Sequence, residues 1–182
     1  LVFVLLIGGA TVLYRQLGKN IAAEQLATQS TNQSDESAAG ETEQKIKAPD
    51  FTVYDADGNE VHLADYIGKP IVLNFWASWC GPCQSEMPDF HEKYLELGDD
   101  VHFLMINMTD GARETVESAS AFIAKNEYAF PVFYDTKSDA ASIYGAYSLP
   151  TTFFIDADGY AIAQATGAID AETLQRGLDM IK

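Results

Sequence analysis

Two long apolar runs constrain this chain more than any other feature. "PIVLNFW" (70–76) and "VHFLMINM" (101–108) barely alternate between polar and apolar residues. A strand built from either must therefore be covered on both faces. Between them, Gly81 to Leu97 reads as a helix. Pro82 falls in its first turn, where a missing N–H costs nothing, and Pro88 falls inside it, where a kink is expected. A buried strand, a helix and a second buried strand predict an α/β sandwich.

The flanking segments extend that plan. "FTVY" (51–54) and "EVHL" (60–63) surround "DADGN" and predict an N-terminal β-hairpin. "ARETVESASAFIAKNEY" (112–128) predicts an amphipathic helix with Val116, Ala119, Phe122 and Ile123 on one stripe. With the short strand "PVFYD" (131–135) it forms a central αβ insertion. A short helix over 138–147 comes next, then a second hairpin, "TTFFID" (151–156) and "YAIAQATG" (160–167) around "ADG". A closing helix over 170–182 is capped by Asp170. The result is a central mixed β-sheet flanked by helices.

The first 47 residues are of another kind. "LVFVLLIGGATVLY" (1–14) carries no charge and is followed by Arg15 and Lys19. Residues 1–19 are read as a membrane anchor whose start is missing, since a spanning helix takes about 20 apolar residues. A cleavable signal peptide is the competing reading: "GGA" and "ATV" are small enough to resemble a cleavage region, but bulky Leu13 and Tyr14 follow at once. Residues 20–47 contain no Phe, Tyr, Trp or Val and read as a flexible linker, with a mean reach of about 30 Å. The folded domain is placed at 48–182.

The net charge is −16, and residues 46–182 hold 8 Lys and Arg against 22 Asp and Glu, a net of −14. Phosphate binding needs a basic face, so nucleic acid is excluded as a partner. The chain is expected to act as a monomer.

The 2 cysteines, Cys80 and Cys83, are separated by Gly81 and Pro82. A structural disulfide closing four residues stabilises by only about 2 kcal/mol, against about 5 for a 100-residue loop. A zinc site needs four ligands, and the three histidines, His62, His91 and His102, are not spaced to supply them. His91 is expected on the solvent face of its helix, and no metal or cofactor is expected. A reactive pair fits better. Cys80 follows a buried strand and opens a helix, whose free N–H groups and positive end favour the thiolate. Cys83, on the same turn, can then attack a mixed disulfide formed at Cys80.

"FWASWCGPC" together with "SLPTTFFID" resembles the thioredoxin fold. "EMP" after the cysteines, the lead-in "APDFTVYDADGNEVHLADYIGKPIVLNFW" and the long span between "WCGPC" and "LPT" resemble the TlpA/ResA branch, across residues 48–182. These are extracytoplasmic, membrane-tethered thiol–disulfide oxidoreductases. The resemblance implies that Cys80 is the nucleophile and Cys83 the resolving cysteine. Trp79 would flank the exposed sulfur, and Pro150 would be the cis-proline facing the disulfide. Leu149 would present its backbone to an extended substrate segment. It further implies protein disulfides as substrates and a membrane electron-transfer partner of the CcdA type. The domain would face the extracytoplasmic side of the cell membrane on a single-pass anchor.

Glu86 follows Cys83 by three residues on the same helix, and so on the same face. Minimal thioredoxins carry a buried Asp six residues before the first cysteine; here that position is Asn74, which cannot titrate. Glu86 matches the glutamate of the branch's "ExP" and is read as the acceptor of the Cys83 proton. Partial burial should raise its pKa. Two other functions compete with this reading. A peroxiredoxin-like peroxidase would carry Thr or Ser three residues before its reactive cysteine, where this chain has Ala77. A non-catalytic module binding extended peptides or copper would not need the intact pair with Trp79 and Pro150. Gly81-Pro82 is the generic dipeptide and leaves both cytochrome c maturation and general disulfide repair open as the physiological task.

Overall fold

The computed structural model describes residues 26–28 and 45–182. The anchor expected over 1–19 and most of the linker expected over 20–47 lie outside the described residues. Among the described residues no helix is long and apolar enough to cross a membrane.

The strands are β1 (Leu26–Thr28), β2 (Ile46–Lys47), β3 (Thr52–Tyr54), β4 (Glu60–His62), β5 (Ile71–Trp76), β6 (His102–Asn107), β7 (Val132–Tyr134), β8 (Thr151–Ile155) and β9 (Tyr160–Thr166). The helices are α1 (Gly81–Leu97), α2 (Val116–Lys125), α3 (Asp139–Tyr144) and α4 (Ala171–Ile181). The sheet runs β1-β9-β8-β5-β6-β7-β3-β4, with β2 also on the outer edge of β9. β5 pairs in parallel with β6, and β6 with β7; β8 lies antiparallel to both β5 and β9. The mixed sheet with its flanking helices is a thioredoxin fold. The hairpin β3–β4 and the pair α2–β7 widen it on the β6 side.

The apolar runs behave as their composition demands. Alternate residues of β5 enter different cores: Ile71, Leu73 and Phe75 pack with Leu104, Ile106 and Phe153 on one face. Val72 and Trp76 pack on the other with Phe103, Met105, Phe90 of α1, and Leu174 and Leu178 of α4. All six β5 residues are buried, as a strand covered on both sides requires. Helix α4 approaches β8 so closely that a Cβ on Gly177 would collide with the Phe154 ring. Only a residue without a side chain fits that crossing.

Several local readings are corrected. The helix expected over 112–128 spans only Val116–Lys125. The Asp110 carboxylate accepts the backbone N–H groups of Ala112, Arg113 and Glu114 and winds them into a turn. Thr115 then caps the helix, its hydroxyl accepting the Ser118 N–H while the Ser118 hydroxyl oxygen accepts the Thr115 N–H. The helix expected over 138–147 stops at Tyr144, before Gly145 at φ 61°. Pro88 lies inside the helix Gly81–Leu97, where the sequence reading put it. His91 does not face solvent freely: it packs edge-on against Tyr128 and Phe130, at 5.4 and 5.9 Å between ring centroids. Within the expected linker, Leu26–Thr28 pairs with Ala163–Ala165, and Ile46–Lys47 with Tyr160–Ala161. Both cover the otherwise open edge of β9.

Candidate active site

Strand β5 ends at Trp76, and a turn follows in which the Cys80 N–H donates to the Ala77 carbonyl at 3.1 Å. That turn delivers Cys80 as the N-cap of α1, with extended backbone (φ −82°, ψ 106°) and Pro82 in the first helical turn. The Cys80 Sγ accepts the N–H of Cys83 at 3.2 Å, one of the donors that a helix start leaves without an intrahelical partner. The two cysteines form a disulfide, with Cα atoms 5.2 Å apart. Cys80 is 5% exposed and Cys83 0%, so an incoming group meets Cys80 first.

A cavity of about 550 Å³ opens beside the disulfide, its walls including Trp79, Cys80, Met108, Arg113, Tyr147 and Leu149. Trp79 and Tyr147 stand well out of the surface. The Arg113 guanidinium lies over the Trp79 ring, 3.5 Å from its centroid, a cation–π contact that braces the indole. The Leu149–Pro150 peptide is cis, and the Pro150 carbonyl accepts the Gly167 N–H at 2.9 Å. Leu149 lies outside the β8 ladder, which begins at Thr151. Among the described residues no cluster of three or more His, Cys, Asp or Glu could hold a metal ion.

Behind Cys83, Glu86 is 2% exposed, deeper than its sequence position suggests. Its Oε1 accepts from Asn74 Nδ2 at 2.8 Å and its Oε2 from the Ile169 N–H at 3.0 Å. Both bonds favour the carboxylate, but burial outweighs them and lifts the pKa from 4.5 to about 7, with the nearby Asp89 charge adding to the rise. Asn74 also donates to Thr152 Oγ1 at 2.9 Å, while its Oδ1 has no hydrogen-bond partner. The position where a minimal thioredoxin has its Asp and the glutamate that follows Cys83 are thus in direct contact.

A helix-capping cysteine pair beside a buried carboxyl group is the equipment of thiol–disulfide exchange. The AhpC/TSA family profile matches residues 45–163. Thiol-disulfide oxidoreductase ResA of Bacillus cereus is 37% identical over 138 residues, which cover 74% of this chain and 76% of that protein. The chain belongs to the AhpC/TSA family, as a thiol–disulfide oxidoreductase of the ResA type. Among solved structures, a thiol:disulfide interchange protein DsbE from Chlorobium tepidum is similar, with TM-score 0.67 and 29% identity over 77% of this chain and 99% of that one. The exposed lipoprotein thioredoxin Etrx1 of Streptococcus pneumoniae is also similar, with TM-score 0.63 and 32% identity over 72% of this chain and 98% of that one.

In this oxidoreductase, Cys80, Trp79 and Leu149 line one opening, Cys83 is buried and disulfide-bonded to Cys80, Pro150 follows Leu149 through the cis peptide, and Glu86 lies one turn beyond Cys83 on α1. Sequence reasoning missed Ile169, Asn107, Arg113 and Glu114. The first two announce nothing on their own. Arg113 and Glu114 were absorbed into a helix that starts later. The Asp110-Gly111 pair just before them was the available sign of a turn.

Proposed function

We propose that this oxidoreductase reduces protein disulfides on the extracytoplasmic side of the membrane, held there by its N-terminal segment and acting as a monomer. The observation that carries the reading is the gradient across the pair. A sulfur on a residue 5% exposed caps a helix and lines the cavity, a fully buried one follows it, and a carboxyl group with a pKa near neutrality lies on the same helix face.

The Cys80 thiolate attacks one sulfur of a substrate disulfide. A Cys80–substrate disulfide forms and one substrate thiolate leaves, to take a proton from water. Glu86 accepts the proton of the Cys83 thiol, directly or through water. The Cys83 thiolate then attacks Cys80 Sγ and expels the second substrate thiolate, which is protonated in turn. Two electrons pass to the substrate, and the Cys80–Cys83 disulfide is left. A membrane dithiol donor of the CcdA type restores the pair by the reverse exchange. The substrate lies extended against Leu149, in the manner of an added strand, with Trp79 and Tyr147 gripping it from either side.

One finding supports the outer-face reading: a similar solved structure is described as an exposed lipoprotein. Reduction of insulin with dithiothreitol as electron source tests the chemistry, and labelling of Cys80 in intact cells by a membrane-impermeant maleimide tests the side. Peroxide consumption faster than insulin reduction would overturn the first. Labelling only after lysis would overturn the second.

A further inference from the structure

Glu114 is 0% exposed, yet the exchange described above makes no use of it. Burying a carboxylate costs several kcal/mol unless donors surround it, so such a group is retained for what it holds. Glu114 Oε1 accepts the Ser78 N–H at 2.8 Å and Asn107 Nδ2 at 2.7 Å, and Oε2 accepts the Ser78 hydroxyl at 2.7 Å. The Asn107 amide is itself oriented, because the Thr109 hydroxyl donates to its Oδ1 at 2.7 Å. The Asp110 turn brings Glu114 to this place and sets its neighbour Arg113 over Trp79. Consecutive residues of one loop therefore grip the two residues that precede Cys80. Gln84 of α1 completes the hold by donating to the Ser78 carbonyl at 2.6 Å. The N–H, hydroxyl and carbonyl of Ser78 are all engaged.

We propose that Glu114 is a positioning residue, which clamps Ser78 so that Cys80 Sγ stays over the start of α1 when the disulfide is open. While the disulfide is closed, the S–S bond itself holds the sulfur near the Cys83 N–H. In the dithiol form that bond is gone, and the hold falls to the preceding loop and to the Gln84 N–H, which donates to the Cys80 carbonyl at 3.0 Å. Thiolate stabilisation by a helix end fades within one turn, so a small drift of Cys80 forfeits it. A single carboxylate suits the task because it can accept from three donors on two oxygens. The clamp acts through geometry and not through charge, since a negative group would by itself oppose a thiolate. The inference rests on Cys80 being the attacking sulfur.

The test compares the full chain with Glu114→Ala, Glu114→Gln and Ser78→Ala. The readouts are the pH dependence of Cys80 alkylation by iodoacetamide and the dithiol–disulfide equilibrium against glutathione. Glu114→Ala should raise the Cys80 thiol pKa by about one unit, a tenfold loss of thiolate stabilisation. The reduced form loses that stabilisation, so at a pH above the Cys80 thiol pKa of both proteins the equilibrium should move about tenfold toward the disulfide, or about 30 mV more negative. Glu114→Gln should stay within about twofold on both readouts, because its carbonyl oxygen can accept two of the bonds and its amide can donate to Ser78 Oγ. Ser78→Ala removes one bond and should shift both readouts in the same direction by less. Ser78→Ala decides the matter if Glu114→Ala does not fold. Wild-type alkylation and equilibrium in a folded Glu114→Ala, whatever its melting temperature, would overturn the proposal. So would an unshifted Ser78→Ala, or a Glu114→Gln as impaired as the alanine variant. Cys80→Ser is the separate control. Retained insulin reduction there would sink the assignment of Cys80 and the clamp's purpose with it, whereas failure of the clamp readouts alone leaves that assignment standing.

Discussion

Replacing Glu86 by glutamine places the heaviest demand on this reading of the site. The carboxyl group is 2% exposed, and burial lifts its pKa from 4.5 to about 7 despite two N–H donors. The folded protein therefore holds a proton through a pH range in which the unfolded chain has released it. For an acid whose folded pKa is raised, the stabilisation is fully present below 4.5 and is lost as pH rises through about 7. At 1.36 kcal/mol per pKa unit, the loss amounts to about 3 kcal/mol between pH 4 and pH 8. The Glu86→Gln side chain cannot titrate, and it can be accommodated. Its carbonyl oxygen can keep the Ile169 N–H, and a flipped Asn74 amide can accept from its NH₂ through the Oδ1 that now lacks a partner. Urea unfolding of the oxidised wild type and variant across pH 4–8 should give curves that diverge by about that amount, the variant gaining relative stability as pH rises. Taking the difference cancels the other carboxylates. Turnover of a disulfide substrate should fall about 10-fold to 10²-fold at neutral pH, and by less at high pH, where Cys83 ionises unaided. Parallel stability curves would refute a buried carboxyl group titrating near neutrality. An unchanged pH–rate profile would reduce Glu86 to a helix carboxylate.

Other substitutions test separate parts of the structure. Cys80→Ser should abolish insulin reduction, while Cys83→Ser should accumulate mixed disulfides on non-reducing gels; faster alkylation of Cys83 than Cys80 in the reduced wild type would reverse the roles. Arg113→Ala removes the cation over Trp79, a contact of about 0.5–1 kcal/mol at an exposed site, so the melting temperature should fall by at most a few degrees, and kcat/KM should fall by no more than about twofold to fivefold as the indole loses its brace. Gly177→Ala pushes a methyl group into the buried Phe154 ring, and urea unfolding should show a loss of about 1–3 kcal/mol, although alanine is the better helix former.

The sheet and the reactive pair were legible in the sequence because both are local. A run such as "PIVLNFW" has no polar face to turn outward, and its burial follows from composition alone. Cys80 and Cys83 meet because three residues make nearly one helical turn, and Glu86 joins their face for the same reason. What the sequence left undecided is what those side chains meet across the sheet. Asn74 and Glu86 are 12 residues apart, and Ile169 is 83 residues beyond Glu86; only the packing of α1 and the β9–α4 loop over β5 brings them together. Glu114 carries the same lesson. Its residues read as helix by pattern, but Asp110 offers their N–H groups a closer acceptor than the next helical turn could. The site's chemistry is thus written in neighbouring residues. Its protonation and its rigidity depend on burial and on donors drawn from distant strands, which exist only once the chain is packed.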